Sequence, residues 1–420
     1  MNAKKWVLTF LLFALVLVLG LAAFNYVTDP FAAFSDKFLN WFSYDETNNP
    51  RVAKISYLEQ HHDEYDSYIL GCSSTSSLQV SDFNKLYDAN FYNLIMYGAD
   101  MRDCEKSADY LIEHYEVKHL VLNVYLDNGF TYDDETDRLT RNLHYLTDPD
   151  TSALSFYTRY LFCDPRYGFA KLKNLRNDRL LPQSFDVFNE VTGEYDKRVR
   201  DVEPIGSMDT YLEAYPVFAD YPKTGDFVLG QTENCMKSVA AIKERCEAAD
   251  VELVVVAAPV YIDYFQNFQA EDVANFYASL AKVTDFWDFS CSSVSCEPRY
   301  FYDATHFRNA VGSMIAARIA GDDSVYIPDD FGTYVTADTP SSYFSEVLQA
   351  TALPDETVSR DVPVLMWHNL AEESSGDMTI SVDTFRAQIE ALHEAGFKTV
   401  SLQQLYDYVH FGTDLPEKPI

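Results

Sequence analysis

Basic residues are scarce in this chain. Its 420 residues carry 32 Lys and Arg against 65 Asp and Glu, a formal net charge of -33. Such a surface repels phosphate backbones, which excludes nucleic acid as a partner. Anionic membrane surfaces are disfavoured on the same ground, apart from whatever inserts directly. There are 7 cysteines, yet no two have the CxxC spacing of a zinc site, so no cysteine metal cluster is expected. Internal repeats and low-complexity tracts are missing too. What is present, 47% hydrophobic and 15% aromatic residues, excludes disorder and supplies a sizeable core.

Long apolar runs are confined to the N-terminus. After a tail at residues 1–5 containing Lys4 and Lys5, Trp6 to Phe24 carries no charge. At about 19 residues it is long enough to cross a bilayer core. Lysines before it and acidic residues after it leave the bulk of the chain outside by the positive-inside rule. An uncleaved single-pass anchor in the cell membrane is the expectation, because signal-peptide apolar regions run about 7–15 residues. Gly20, Ala22 and Ala23 keep a cleaved leader open. An oxidising compartment then suits a Cys291–Cys296 disulfide, and the odd cysteine count leaves at least one free thiol.

Beyond the anchor the pattern alternates. Short apolar runs at Tyr68–Leu70, Tyr92–Met96, His119–Leu126, Val251–Pro259 and Asp285–Phe289 read as buried strands. Helical periods cover Asp103–Tyr115, Thr232–Ala249, Glu271–Val283 and Arg308–Ala320. This predicts an α/β domain over residues 25–324 with a mostly parallel sheet covered on both faces. The alternation lapses between about 130 and 230, an insert that suits either a substrate wall or a structural excursion. Residues 325–360, rich in Pro, Asp, Thr and Ser, read as a linker.

Within the α/β pattern, Asp66-Ser-Tyr-Ile-Leu-Gly-Cys-Ser-Ser-Thr-Ser-Ser77 stands out. A strand ending at Gly71 and turning into hydroxyl residues places Ser73 at the carboxyl end of a sheet, where open α/β sheets bind ligands. A nucleophilic serine needs a base and the base a carboxylate. Asp303 and His306, in Tyr302-Asp-Ala-Thr-His-Phe307 ahead of a helix containing Gly312, have the spacing to lie on one side of a first helical turn. The remaining serines read as helix caps. His61-His62 reads as a solvated helix face, and Asn142-Leu-His144 as a surface loop.

Gly71-Cys-Ser73, Gly98 in Asn93-Leu-Ile-Met-Tyr-Gly-Ala-Asp100, and Asp303-x-x-His306 together resemble the ordered blocks of SGNH (GDSL-like) hydrolases. The likeness extends over roughly residues 25–320 and is to the membrane-anchored branch that modifies cell-envelope polymers, including Asp29-Pro-Phe31. It implies a flavodoxin-like α/β/α sandwich with Ser73 as nucleophile, His306 as base and Asp303 as its orienting acid. The oxyanion hole would use the N–H groups of Ser73 and Gly98, with Asn128 as the candidate side chain. Two positions depart from the family. Cys72 stands where it has Asp, and Val124-Tyr-Leu-Asp-Asn-Gly129 lacks its Gly-x-Asn-Asp block, Asn123 being placed inside a strand.

Residues 361–420 start a second pattern, expected to be the beginning of a domain. A strand at Val362–Met366, a helix at Val382–Ala395, a strand at Thr399-Val400 and a helix at Leu402–Val409 are predicted. Pro363-Val-Leu-Met-Trp-His-Asn369, Ser381-x-Asp-x-Phe-x-x-Gln-Ile389 and Gly396-Phe-Lys-Thr-Val-Ser-Leu402 resemble the entry to a polysaccharide deacetylase domain, a distorted (β/α) barrel. A complete domain of that kind implies a divalent metal. Its metal motifs have no counterpart in these residues, so none is transferred, and His368 is read as structural or as a pocket edge. Together the resemblances imply a serine esterase or O-acyltransferase working on cell-envelope or exopolysaccharide glycans without a cofactor, among envelope-biosynthesis partners. The alternative is a metal-dependent deacetylase with a non-catalytic, glycan-binding SGNH-like domain.

Overall fold

The computed structural model describes residues 3–39, 49–130, 138–175, 187–197, 200, 208–219, 223–350, 362–374, 376, 378–411 and 414–420. The protein is α/β, and its chain divides into two compact units. The larger comprises Met1–Asp322 with Ile327–Ala352. At its centre are β1 (Ser67–Gly71), β2 (Phe91–Ile95), β3 (His119–Asn123), β6 (Glu252–Ala257), β7 (Phe286–Asp288) and β8 (Thr333–Val335). These form one sheet in the order β2-β1-β3-β6-β7-β8, while β4 (Val187–Phe188) and β5 (Tyr195–Asp196) make a separate hairpin.

The register explains the apolar runs. Leu70 pairs with Leu94 on one side and Leu122 on the other, and Leu122 with Val255, all in parallel. Every residue of β1 is buried. Each fully buried Leu or Ile contributes ~1.5–3 kcal/mol, so the middle strands are the stable part of the sheet. The chain steps from β1 out to β2 and then back across to β3, β6 and β7. With right-handed crossovers, the helix Val80–Tyr87 falls on one face and Met101–His114 and Ala270–Val283 on the other. The last helix, Asn309–Ala320, packs with Val80–Tyr87.

The sheet is mixed rather than parallel. β8 pairs antiparallel with β7, Trp287 opposite Tyr334. Its residues come from the stretch read as a linker, of which 351–361 lies outside the described residues. Phe331, Val335 and Phe344 are buried, and Phe289 and Phe331 stack with centroids 4.9 Å apart. Three anchoring aromatic and aliphatic residues among Pro, Asp and Thr are too sparse to make a period, which is why sequence composition hid them.

The insert is tied to the body. Thr192 accepts a hydrogen bond from the Asn93 N–H (2.9 Å), and a Glu194 carboxylate oxygen accepts from the Val80 N–H (2.5 Å). Gly193, at φ +72°, sits so close that a Cβ would lie 2.2 Å from the Asn93 carbonyl oxygen. Lys54 is fully buried and donates to the Asn93 and Ile95 carbonyls, 3.0 Å each, and burial lowers its pKa well below the usual lysine range. Together these groups cap the outer edge of β2, a row of backbone polar groups that would otherwise invite another strand.

All seven cysteines are free thiols, which corrects the expected Cys291–Cys296 bridge. Cys291 is buried, and Cys296 donates instead to the Ala350 and Ser292 carbonyls at 3.4 and 3.6 Å. The N-terminal helix Ala3–Thr28 has 26 residues and a most apolar window of mean hydropathy 2.9. It is long and apolar enough to cross a membrane.

The smaller unit contains Asp323–Tyr326 and Leu353–Ile420. β9 (Asn369–Ala371) and β10 (Thr379–Ser381) pair in parallel, followed by the helices Val382–Glu394 and Leu402–Phe411. Val362–Met366 forms no strand; its Val364 and Met366 are 79% and 74% exposed, without a neighbouring strand to hold them. Thr399-Val400 is likewise reduced to an edge contact, the Val400 N–H donating to the Ile420 carbonyl at 2.9 Å. Trp367 donates to Gln388 and stacks edge-on with Phe385. His368 is exposed.

Candidate active site

The nucleophile turn starts where β1 ends. A side chain at Gly71 would place its Cβ 2.1 Å from the Thr75 hydroxyl oxygen, so only glycine lets the chain fold back there. Ser73–Ser77 then form one 3-10 turn. Ser74 through Ser77 are buried and Ser73 is partly exposed. Buried hydroxyls must be satisfied internally. The Asn123 amide donates to Ser74 (3.0 Å) and Thr75 (3.1 Å), the Asn93 amide donates to the Thr75 and Leu78 carbonyls, and Ser77 donates to the Phe307 carbonyl (2.7 Å). The serines read as caps are therefore ties between β2, β3 and the loop before the last helix. Asn123, at the carboxyl end of β3, and Asn93, in the middle of β2, hold the turn.

That loop brings the partners. It is closed by a bridge between Phe301 and Phe307, and the helix begins only at Asn309, so Asp303 and His306 meet in a tight loop rather than a helical turn. His306 Nε2 lies 2.8 Å from Ser73 Oγ, and its Nδ1 lies 2.8 Å from Asp303 Oδ2. Asp303 Oδ1 also accepts from the His306 N–H (2.9 Å), the Thr305 N–H (2.8 Å) and the Thr305 hydroxyl (3.1 Å). Burial alone would raise the Asp303 carboxyl, but the charge and hydrogen bond of His306 and the two bonds from Thr305 outweigh it and hold it at about 2. An ionised carboxylate on Nδ1 selects the tautomer with Nε2 free to accept the serine proton.

Several distant groups fix this loop. Tyr125 donates to the Thr305 carbonyl (2.9 Å), and Tyr211 to that of Phe301 (2.7 Å). Arg308 reaches the Arg200 carbonyl (2.7 Å) and the Tyr211 hydroxyl (3.0 Å), with its guanidinium 5.0 Å from the Tyr302 ring. Gly312 allows the last helix to touch the nucleophile turn, since a Cβ there would lie 1.8 Å from the Ser77 carbonyl oxygen. The insert residues Arg200 and Tyr211 thus support the loop that carries Asp303 and His306, and Tyr211 and Phe218 are buried core.

Gly98 follows β2 at φ +55°, a left-handed turn natural to glycine. Among the described residues neither its N–H nor that of Ser73 has an acceptor. The Arg141 guanidinium lies over it, 3.2 Å from where a Cβ would be. Asn128 is buried; its Oδ1 accepts from the Tyr125 N–H (2.7 Å) and its Nδ2 donates to the Ala99 carbonyl (3.2 Å). Its oxygen thus holds its own turn and one amide hydrogen holds the loop after Gly98, and an amide group has a second hydrogen to donate.

No protein-family model matches the chain, and no curated protein matches it either.

Cys72, next to the nucleophile, is buried, and burial pushes its thiol up to about 11. At neutral pH it is a protonated neighbour bonded to Ser74, not a rival nucleophile. His144 is also buried, packed on Phe156 with centroids 4.6 Å apart, and burial lowers it to about 3, so it is a neutral core residue and not part of a surface loop. His61 bonds Glu64 (2.8 Å) and stacks on Tyr57. Among the described residues no three His, Cys, Asp or Glu converge as metal ligands. Sequence reasoning missed Thr305, Asn93, Asn123, Arg141 and Arg308. Of these, only the polar Asn93 and Asn123 inside otherwise apolar strands carried a readable signal.

Proposed function

We propose that the protein is a serine-dependent acyl-ester hydrolase or O-acyltransferase of the SGNH type, anchored in the membrane by its N-terminal helix with the body extracytoplasmic. The observation that carries this reading is the relay of Ser73 Oγ, His306 Nε2 and Nδ1, and Asp303, two contacts of 2.8 Å, the first of which joins residues far apart in sequence. The five parallel strands in the order β2-β1-β3-β6-β7 support the flavodoxin-like sandwich that such enzymes use.

His306 takes the Ser73 proton as Oγ attacks an ester carbonyl carbon. The oxyanion is met by the N–H groups of Ser73 and Gly98, each such donor worth about 10²–10³ in rate. Collapse expels the alcohol, protonated by His306, and leaves an acyl-Ser73. A water activated by His306 then releases the acid, or a sugar hydroxyl takes the acyl group. General-base assistance of this kind supplies about 10²–10⁴. The glycan is named as acyl carrier because the second unit resembles a polysaccharide deacetylase entry. The decisive experiment is labelling of the full chain by a fluorophosphonate together with aryl-acetate turnover. Both should vanish in Ser73→Ala while circular dichroism is unchanged. Turnover that survives the substitution would end this reading.

A further inference from the structure

We propose that the helices Ala153–Leu161 and Pro165–Leu175 of the insert lie in the outer headgroup layer of the membrane, seated on anionic lipid beside the N-terminal helix. The proposal rests on that helix being a retained anchor. Depth is the first argument. Trp6 opens the uncharged run and Phe24 closes it; at 1.5 Å per residue the two stand ~27 Å apart along the helix, close to the ~30 Å of a hydrocarbon core. Phe24 is where the body takes hold. It stacks on Phe169 with centroids 4.7 Å apart, and Gly168 packs so tightly there that a Cβ would lie 2.6 Å from the Thr28 hydroxyl oxygen. At the next residue, the buried Asn25 amide donates to the Leu161 (3.0 Å) and Cys163 (2.9 Å) carbonyls. Lys171, also buried, bonds the Asp29 carbonyl and the Asp36 carboxylate. These contacts fix the two insert helices at the height where the anchor leaves the bilayer.

Surface character is the second argument. Leu154 is 80% exposed, Phe169 60% and Phe162 45%, three large apolar side chains brought to the surface by this one segment. Arg166, Phe169, Ala170 and Lys173 are exposed at the spacing of one helix face, an aromatic between basic ends. Charge is the third. Residues 151–175 expose Arg159, Arg166 and Lys173 beside Asp164, Lys171 being buried against Asp36, inside a chain of net charge -33. A local reversal of sign beside exposed aromatics is the composition of a headgroup contact.

The test uses the full chain with Cys296→Ser, since the other cysteines are buried. A nitroxide is placed at Phe169→Cys, or in a second variant at Leu154→Cys, in vesicles of phosphatidylcholine with phosphatidylglycerol. Labels at Leu12→Cys and Glu271→Cys serve as lipid and water references. Saturation by oxygen and by a water-soluble nickel complex reads the environment. The Phe169 and Leu154 labels should lose nickel collisions relative to Glu271 and gain oxygen collisions. Arg159→Glu with Lys173→Glu should restore the nickel collisions. A Phe169 label that reports water while Leu12 reports lipid overturns the seat and leaves the anchor standing. Water at both positions overturns the anchor and the seat with it.

Discussion

The two compact units follow the same local rules and end in different states. In the larger, the helix Met101–His114 presents Cys104, Ala108 and Leu111 to the sheet, and all three are fully buried. In the smaller, Val382–Glu394 has an equally regular apolar stripe and a proper Ser381 cap, the side chain accepting from the Thr384 N–H, yet none of its residues is buried. Leu402 is 85% exposed. Periodicity and capping make an element, but a core requires a second layer to receive its apolar face. The contrast also separates chemistry. The only serine–histidine–carboxylate relay among the described residues is in the larger unit.

The sharpest way to test that separation is kinetic. Ser73→Ala should cost a factor of about 10⁴ or more in kcat on an aryl acetate, whereas removing residues 353–420 should leave the rate within a factor of about two. A rate that collapses on truncation would break the comparison, because it would mean the small unit shapes the site. Asn128→Ala comes next. A direct oxyanion donor is worth about 10²–10³; a group that only steadies Gly98 should cost about tenfold in kcat, with KM and fluorophosphonate labelling little changed. The same contrast can be read in stability by urea unfolding. Leu111→Ala should cost about 2–5 kcal/mol, and Leu402→Ala less than about 0.5 kcal/mol.

A further effect concerns pH. Asp29 is buried, and although the Asp36 and Phe34 N–H groups and Lys171 favour its charge, burial prevails and raises it from 3.8 to about 6. Protonated Asp29 therefore contributes stability that is complete below pH 3.8 and lost as pH rises through about 6. The loss is about 3 kcal/mol at most, and Asp29→Asn should flatten it in thermal melts taken across that window. Asp303 runs the other way, its contribution present above 3.8 and lost as pH falls through about 2. Activity lost in milder acid than that would belong to another group.

The sheet and the reactive trio were legible because their signals are local. Apolar runs such as Tyr68–Leu70 mark strands, and Gly71-Cys-Ser73 and Asp303-x-x-His306 sit next to strand or helix ends. What stayed hidden depends on contacts between distant segments. β8 is three residues long and identifiable only once Trp287 is there to face Tyr334. Thr305 stood inside the quoted motif, but nothing in one dimension says that its hydroxyl turns to Asp303. Arg141 and Arg308 look like any surface arginine until the insert folds back. Proximity in sequence also misled, since Cys291 and Cys296 are near neighbours whose thiols do not join.

The unpaired thiols have a further consequence. In the folded chain six of the seven are buried, and burial, aided by nearby carboxylates, raises Cys104 well above the ordinary range and Cys235 and Cys246 to about 12. Oxidants react with thiolate, so the native protein should be close to inert towards them. Once the chain opens, that protection ends for every cysteine together, and an oxidising milieu would trap the open form through mispaired disulfides. Disulfide content in aged samples would then act as a recorder of past unfolding, written once and not erased by refolding.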